Sequence, residues 1–89
     1  MDKHTQAIVS EKGEIHGRGS DPYKWVSHLT ADERSAVRAG HPVLIRDHNR
    51  HPKCAGWKRV WHRGGRYYHR ELVASDYADP RILAATAEE

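Results

Sequence analysis

Two adjacent glycines inside a β-rich stretch constrain this chain most. Gly64-Gly65 divides residues 57–73, WKRVWHRGGRYYHRELV, into two arms rich in aromatic and β-branched residues. A Gly-Gly pair between such arms is the signature of a two-residue β-hairpin loop. With that loop, Arg63 faces Arg66, and His62/Tyr67, Trp61/Tyr68, Val60/His69, Arg59/Arg70, Lys58/Glu71 and Trp57/Leu72 follow as opposite pairs. Side chains alternate along a strand, so Trp57, Arg59, Trp61, Arg63, Arg66, Tyr68, Arg70 and Leu72 share one face. Like charges placed opposite each other destabilise a sheet unless something anionic lies between or over them. Four arginines interleaved with aromatics therefore suggest a binding surface.

The same face also suits a core wall, with Trp57, Trp61, Tyr68 and Leu72 packed inside and arginine stems lying along the rings. Competition between the two roles is real, because a chain of 89 residues with no Phe and one Met has few other large apolar groups. Trp57 and Trp61 are the expected contacts of a packed helix. The Lys58/Glu71 pair points the opposite face toward solvent. Since one surface must serve both roles, binding is expected in the arginines and the end near the turn, and structure near Trp57.

Charge is distributed unevenly along the chain. Residues 1–40 carry six Lys/Arg and six Asp/Glu, and residues 41–71 carry eight Lys/Arg against Asp47 and Glu71. Residues 72–89 carry Arg81 against Asp76, Asp79, Glu88 and Glu89. The overall +3 thus conceals a basic centre followed by an acidic tail. Polyanions are the partners of such a centre, nucleic acid first and an acidic protein surface second. Five of the eight histidines lie in the basic segment, so its charge climbs further below pH ~6.5.

The expected architecture is a single α+β domain. Residues 1–19 read as a strand pair (5–10 and 14–16) and a linker, and residues 20–40 as helical. Within that segment, Asp21-Pro22 forms a helix start and Trp25, Val26 and Leu29 form a helical stripe. Thr30-Ala31-Asp32-Glu33 is a capping box opening a further helix to Ala39, with Gly40 as its left-handed stop. Residues 41–73 read as a three-stranded meander (43–47, 57–62 and 66–73), with Val43-Leu44-Ile45 as a central strand. Residues 74–89 supply a short helix started by Asp79-Pro80, then a fraying tail. No apolar run approaches the ~18 residues of a membrane span, and the N-terminus lacks the apolar core of a signal peptide. A lone cysteine makes no internal disulfide, which favours an intracellular, cytoplasmic setting.

The loop 47–54 holds His48, His51 and Cys54, metal-compatible residues at intervals of three, with Asp47 beside them. Zinc sites use four such groups, and Arg50 and Lys53 oppose a dication. Over residues 47–52 the loop resembles the metal-and-base core of HNH-type nucleases. That resemblance implies a metal-dependent nuclease, but those enzymes carry a further Asn and His on a following helix, where this chain reads as strands. Cys54 with a nearby histidine lacks an orienting third group, and no Gly-rich phosphate loop occurs, so no cofactor is implied.

The leading expectation is a small non-enzymatic binding module engaging nucleic acid. Arg59, Arg63, Arg66 and Arg70 supply charge, Arg50 and Lys53 extend the patch, and Trp61 and Tyr68 stack on bases where exposed. The alternative is a compact inhibitor or adaptor of phage or mobile-element type docking on an acidic protein, where Trp, Tyr and Arg are favoured anchors. Homodimerisation through a sheet edge is compatible with either.

Overall fold

A computed structural model describes residues 6–10, 14–15, 23–46 and 56–87. The chain order is β1 (Ile8–Ser10), β2 (Glu14–Ile15), β3 (Lys24–Ser27), α1 (Ala31–Arg38), β4 (Val43–Arg46), β5 (Trp57–Arg63) and β6 (Arg66–Glu71). A 3₁₀ segment (Ala74–Ala78) and α2 (Pro80–Thr86) follow. The strands form one sheet in the order β1-β4-β5-β6-β3-β2, parallel only between β1 and β4. The fold is α+β, with both helices packed on a largely antiparallel sheet.

The hairpin takes the register its turn demands. Gly64 and Gly65 have φ of 57° and 79°, the left-handed pair that a type I′ loop requires and that side chains resist. Every pair from Arg63/Arg66 to Lys58/Glu71 is in place. The meander is completed by β4, antiparallel to β5 with Leu44 opposite Arg59.

Residues 24–27, expected in a helix, form β3 instead. Lys24 lies opposite His69 and Trp25 opposite Tyr68 on the outer edge of β6. That edge offers a row of backbone donors and acceptors, and the alternation of exposed Trp25 with buried Val26 suits it better than a helical stripe does. His28, with φ 64°, turns the chain out of the strand toward α1. The Asp21-Pro22 start lies outside the described residues. The N-terminal strands also differ from expectation: β1 and β2 occupy opposite edges of the sheet rather than pairing with each other.

Helix α1 begins as its capping box dictates. The Glu33 amide donates to Thr30 Oγ1 at 3.1 Å, and the Thr30 amide donates to Glu33 Oε1 at 2.8 Å. Gly40, at φ 89°, reverses the chain after it. Thr30→Ala removes an acceptor from the first turn and is expected to cost about 1 kcal/mol, measured by urea denaturation.

The core wall is the opposite face of the hairpin from the one expected. Val26, Leu29, Ala36, Val43, Ile45, Val60 and Tyr67 form the main cluster, with α1 above it. Lys58 and His69 are buried on this side as well. Lys58 Nζ reaches the exposed Glu71 carboxylate at 3.5 Å, so its stem is covered while its head meets a counter-ion. Arg34 likewise lies over the Tyr67 ring at 5.0 Å and donates to the Leu29 carbonyl.

The other face is covered only in part. Leu44, fully buried, belongs to it by register with Arg59. The 3₁₀ segment and α2 lie on this side. Asp76 reaches Arg59 there, while Arg81, Ala84 and Ala85 line a cleft with Val9, Arg46 and Trp57. Asp79 caps α2 by accepting from the Arg81 amide at 2.9 Å, and Ile82 is fully buried. Beyond this cover, toward the hairpin turn, the sheet face is open.

Candidate nucleic-acid interface

The opposed arginines near the middle of the hairpin have their anion inside the protein. Asp76 Oδ1 accepts from Arg59 Nη1 at 2.8 Å, and Asp76 Oδ2 accepts from Arg70 Nη1 at 2.8 Å. Arg70 Nη2 adds a contact to Oδ1 at 3.1 Å, and the Val73 amide donates to Oδ2 at 2.8 Å. The Asp76 side chain is only 3 % exposed. Its carboxyl is held down at about 2, by the Arg70 guanidinium above all. The Val73 amide and the Arg59 guanidinium act in the same sense, and burial opposes them. Asp76 thus neutralises a like-charge pair that the strands place face to face. It also fixes both guanidiniums over the Trp61 ring, at 4.8 Å for Arg59 and 4.9 Å for Arg70.

From Trp61 a row of aromatic rings crosses the open face. Trp61 lies opposite Tyr68 on β6, and Tyr68 lies opposite Trp25 on β3. The Trp25 and Tyr68 ring centroids are 5.4 Å apart. Tyr23 meets Tyr68 edge-on at 6.4 Å. Trp61 is 38 % exposed, Trp25 44 % and Tyr23 49 %, so large rings on neighbouring strands meet solvent as a patch. An open depression of about 460 Å³ lies among Tyr23, Trp61, His62, Arg63, Tyr68 and Arg70.

On the turn side of this row stand Arg63 and Arg66, directly opposite each other and both exposed. Arg66 lies over the Trp25 ring at 4.5 Å. Among the described residues neither arginine has a carboxylate partner. Among the described residues these two charges therefore border the rings with no carboxylate between them, in contrast to Arg59 and Arg70. Trp57, at the far end of the same face, is half-buried beside α2 with Arg46 over its ring at 4.9 Å.

No family model, curated protein or solved structure matches this chain.

Of the residues singled out by sequence, Arg59, Arg63, Arg66, Arg70, Trp61 and Tyr68 are together on one surface. Arg50 and Lys53 lie outside the described residues, as do His48, His51 and Cys54. Among the described residues, no three His, Cys, Asp or Glu side chains gather in a way that would hold a metal ion. No helix among them is long and apolar enough to cross a membrane. Three residues of the surface escaped the sequence reading. Trp25 and Tyr23 fall in the segment that reads as helical, although the alternation Tyr23-Lys24-Trp25-Val26 carries a strand period. Asp76 sits in an acidic tail with nothing local to mark it as the partner of the hairpin.

The arrangement offers two kinds of interaction. Exposed rings present flat π surfaces, and the arginines at their border present charge and hydrogen-bond donors. Together these are the requirements for holding bases and phosphates at once.

Proposed function

We propose that this protein is a non-enzymatic nucleic-acid-binding module working through the open face of its sheet. The observation that carries this reading is the row formed by exposed Trp61 and Trp25 with half-buried Tyr68 between them, and Arg63 and Arg66 along its edge. An acidic protein would meet the same arginines, but three rings on neighbouring strands match the flat faces of bases better than they match carboxylates. The basic segment 41–71 adds a long-range attraction for phosphate.

Binding of a fluorescent 20-nucleotide oligonucleotide, followed by anisotropy, tests the proposal. Each phosphate neutralised on a single strand contributes a slope of roughly −0.7 in log affinity against log salt. Contacts from Arg63 and Arg66 alone then weaken binding about sevenfold between 50 and 200 mM salt. Binding indifferent to salt, or no binding at low salt, would overturn the proposal. Capture of a protein from extract that survives nuclease treatment, without oligonucleotide binding, would favour the acidic-protein partner instead.

A further inference from the structure

We infer that the nucleic acid this surface takes is single-stranded, and that it crosses the sheet at right angles to the strands. Successive bases then stack on Tyr68 and Trp25, with a third against the part of the Trp61 ring that Arg59 and Arg70 leave open. The inference rests on the nucleic-acid reading above and specifies its ligand.

The row has the geometry of a stacking platform. Trp61, Tyr68 and Trp25 stand on three adjacent strands at matched register positions. Neighbouring strands lie ~4.8 Å apart, so successive rings are displaced by about one strand spacing across the sheet. The Trp25 and Tyr68 centroids, 5.4 Å apart with their planes inclined by 42°, are offset by about one strand spacing. In a duplex the faces of the bases are covered by their neighbours, and only base edges reach the grooves. Rings that project from a sheet face therefore have nothing to stack on along a duplex. Unpaired bases can be splayed onto them.

The charges give the path a sidedness. On one flank Arg59 and Arg70 have guanidinium donors engaged by the buried Asp76 carboxylate, which offsets one of their two charges. On the other flank Arg63 and Arg66 stand exposed near the turn. The phosphates accordingly follow the turn side and the bases lie inward over the rings. Arg66 now covers Trp25. A base takes that position and the released guanidinium takes a phosphate.

The test compares a 20-nucleotide oligothymidine with a 20-base-pair duplex on the full chain at 50 mM salt, reading anisotropy and tryptophan fluorescence. The expected result is at least tenfold tighter binding of the single strand, with quenching of the indole emission. Trp25→Leu, on an exposed site, is expected to weaken oligothymidine binding about tenfold while leaving duplex affinity within twofold. Tyr68→Ala, with its fold checked by circular dichroism, gives the same discrimination at the centre of the row. Equal affinity for both ligands without quenching would overturn the single-strand inference and leave the nucleic-acid reading standing. Failure of both ligands to bind would overturn both.

Discussion

Replacing Asp76 with alanine is expected to cost about 3–5 kcal/mol of folding stability, measured by urea denaturation. The loss is large because Asp76 is the shared acceptor of two half-buried guanidiniums that the strand register forces together. Without it, Arg59 and Arg70 face each other under the cover of the 3₁₀ segment. The Val73 amide also loses its acceptor, loosening the entry to that segment. A domain of this size has only about 5–15 kcal/mol in hand, so the variant should be close to unfolding in mild denaturant. Replacing the whole triad with apolar residues of similar volume should restore much of the loss, because the penalty lies in the uncompensated charges. A cost below about 1 kcal/mol for Asp76→Ala would contradict the account.

The same carboxylate sets an acid response. Its pKa in the folded protein, about 2, lies below the ordinary 3.8, so the folded state favours the ionised form. The stabilisation is present above 3.8 and is lost as pH falls through that value toward 2. The difference corresponds to about 2 kcal/mol from this group. In Asp76→Ala the portion of the acid transition that falls in this window should be absent.

The second large effect concerns binding. Reversing both turn arginines, Arg63→Glu with Arg66→Glu, is expected to weaken oligothymidine binding about a hundredfold or more at 50 mM salt. Each loses a charge-assisted contact worth roughly 1.5 kcal/mol or more, and each adds repulsion. Neutral Arg63→Ala with Arg66→Ala should instead lower the magnitude of the salt slope by about 1.4. Stability should change by less than about 1 kcal/mol in either case, since the structural loss is the Arg66 contact with Trp25. Unchanged affinity in the charge-reversed protein would remove the turn arginines from the site. Arg59 and Arg70 are poorer probes, because their removal strands Asp76.

Local chemistry made much of this fold legible. Gly64-Gly65 specified the loop type, and a two-residue loop leaves one register for the strands it joins. Thr30 and Glu33 marked the start of α1, and Gly40 its end. The apolar run Val43-Leu44-Ile45 was readable as a central strand, and it is buried on both sides because α1 covers one face and the C-terminal segment the other. The core side of the hairpin was less legible. On β5 one face alternates tryptophan with arginine, and the other alternates lysine, valine and histidine, so neither is plainly apolar. The choice was made by where α1 lands and by the length of the Lys58 stem. Strand β3 was missed because four residues carry a weak period, and its stability comes from the free edge of β6.

Of the surface itself, the hairpin residues could be grouped by alternation alone. The half contributed by β3 could not, because it arrives through the pairing of Trp25 with Tyr68 and Lys24 with His69, distant in sequence. The internal anion was foreseen only as a need. Opposed arginines demand a negative charge, but nothing in their own strands says that Asp76 supplies it to Arg59 and Arg70, or that Arg63 and Arg66 have no carboxylate partner among the described residues.

The proposed contact of nucleic acid with the open sheet face, rather than with any other surface, can be located residue by residue. Titration of isotope-labelled protein with oligothymidine, followed by NMR of backbone amides and indole N–H groups, tests it most directly. The expected shifts are concentrated at Trp25, Trp61, Arg63, Arg66 and Tyr68, with α1 and Trp57 little affected. Shifts confined to α1 and the Glu71 side of the sheet, or none at saturating ligand, would contradict it.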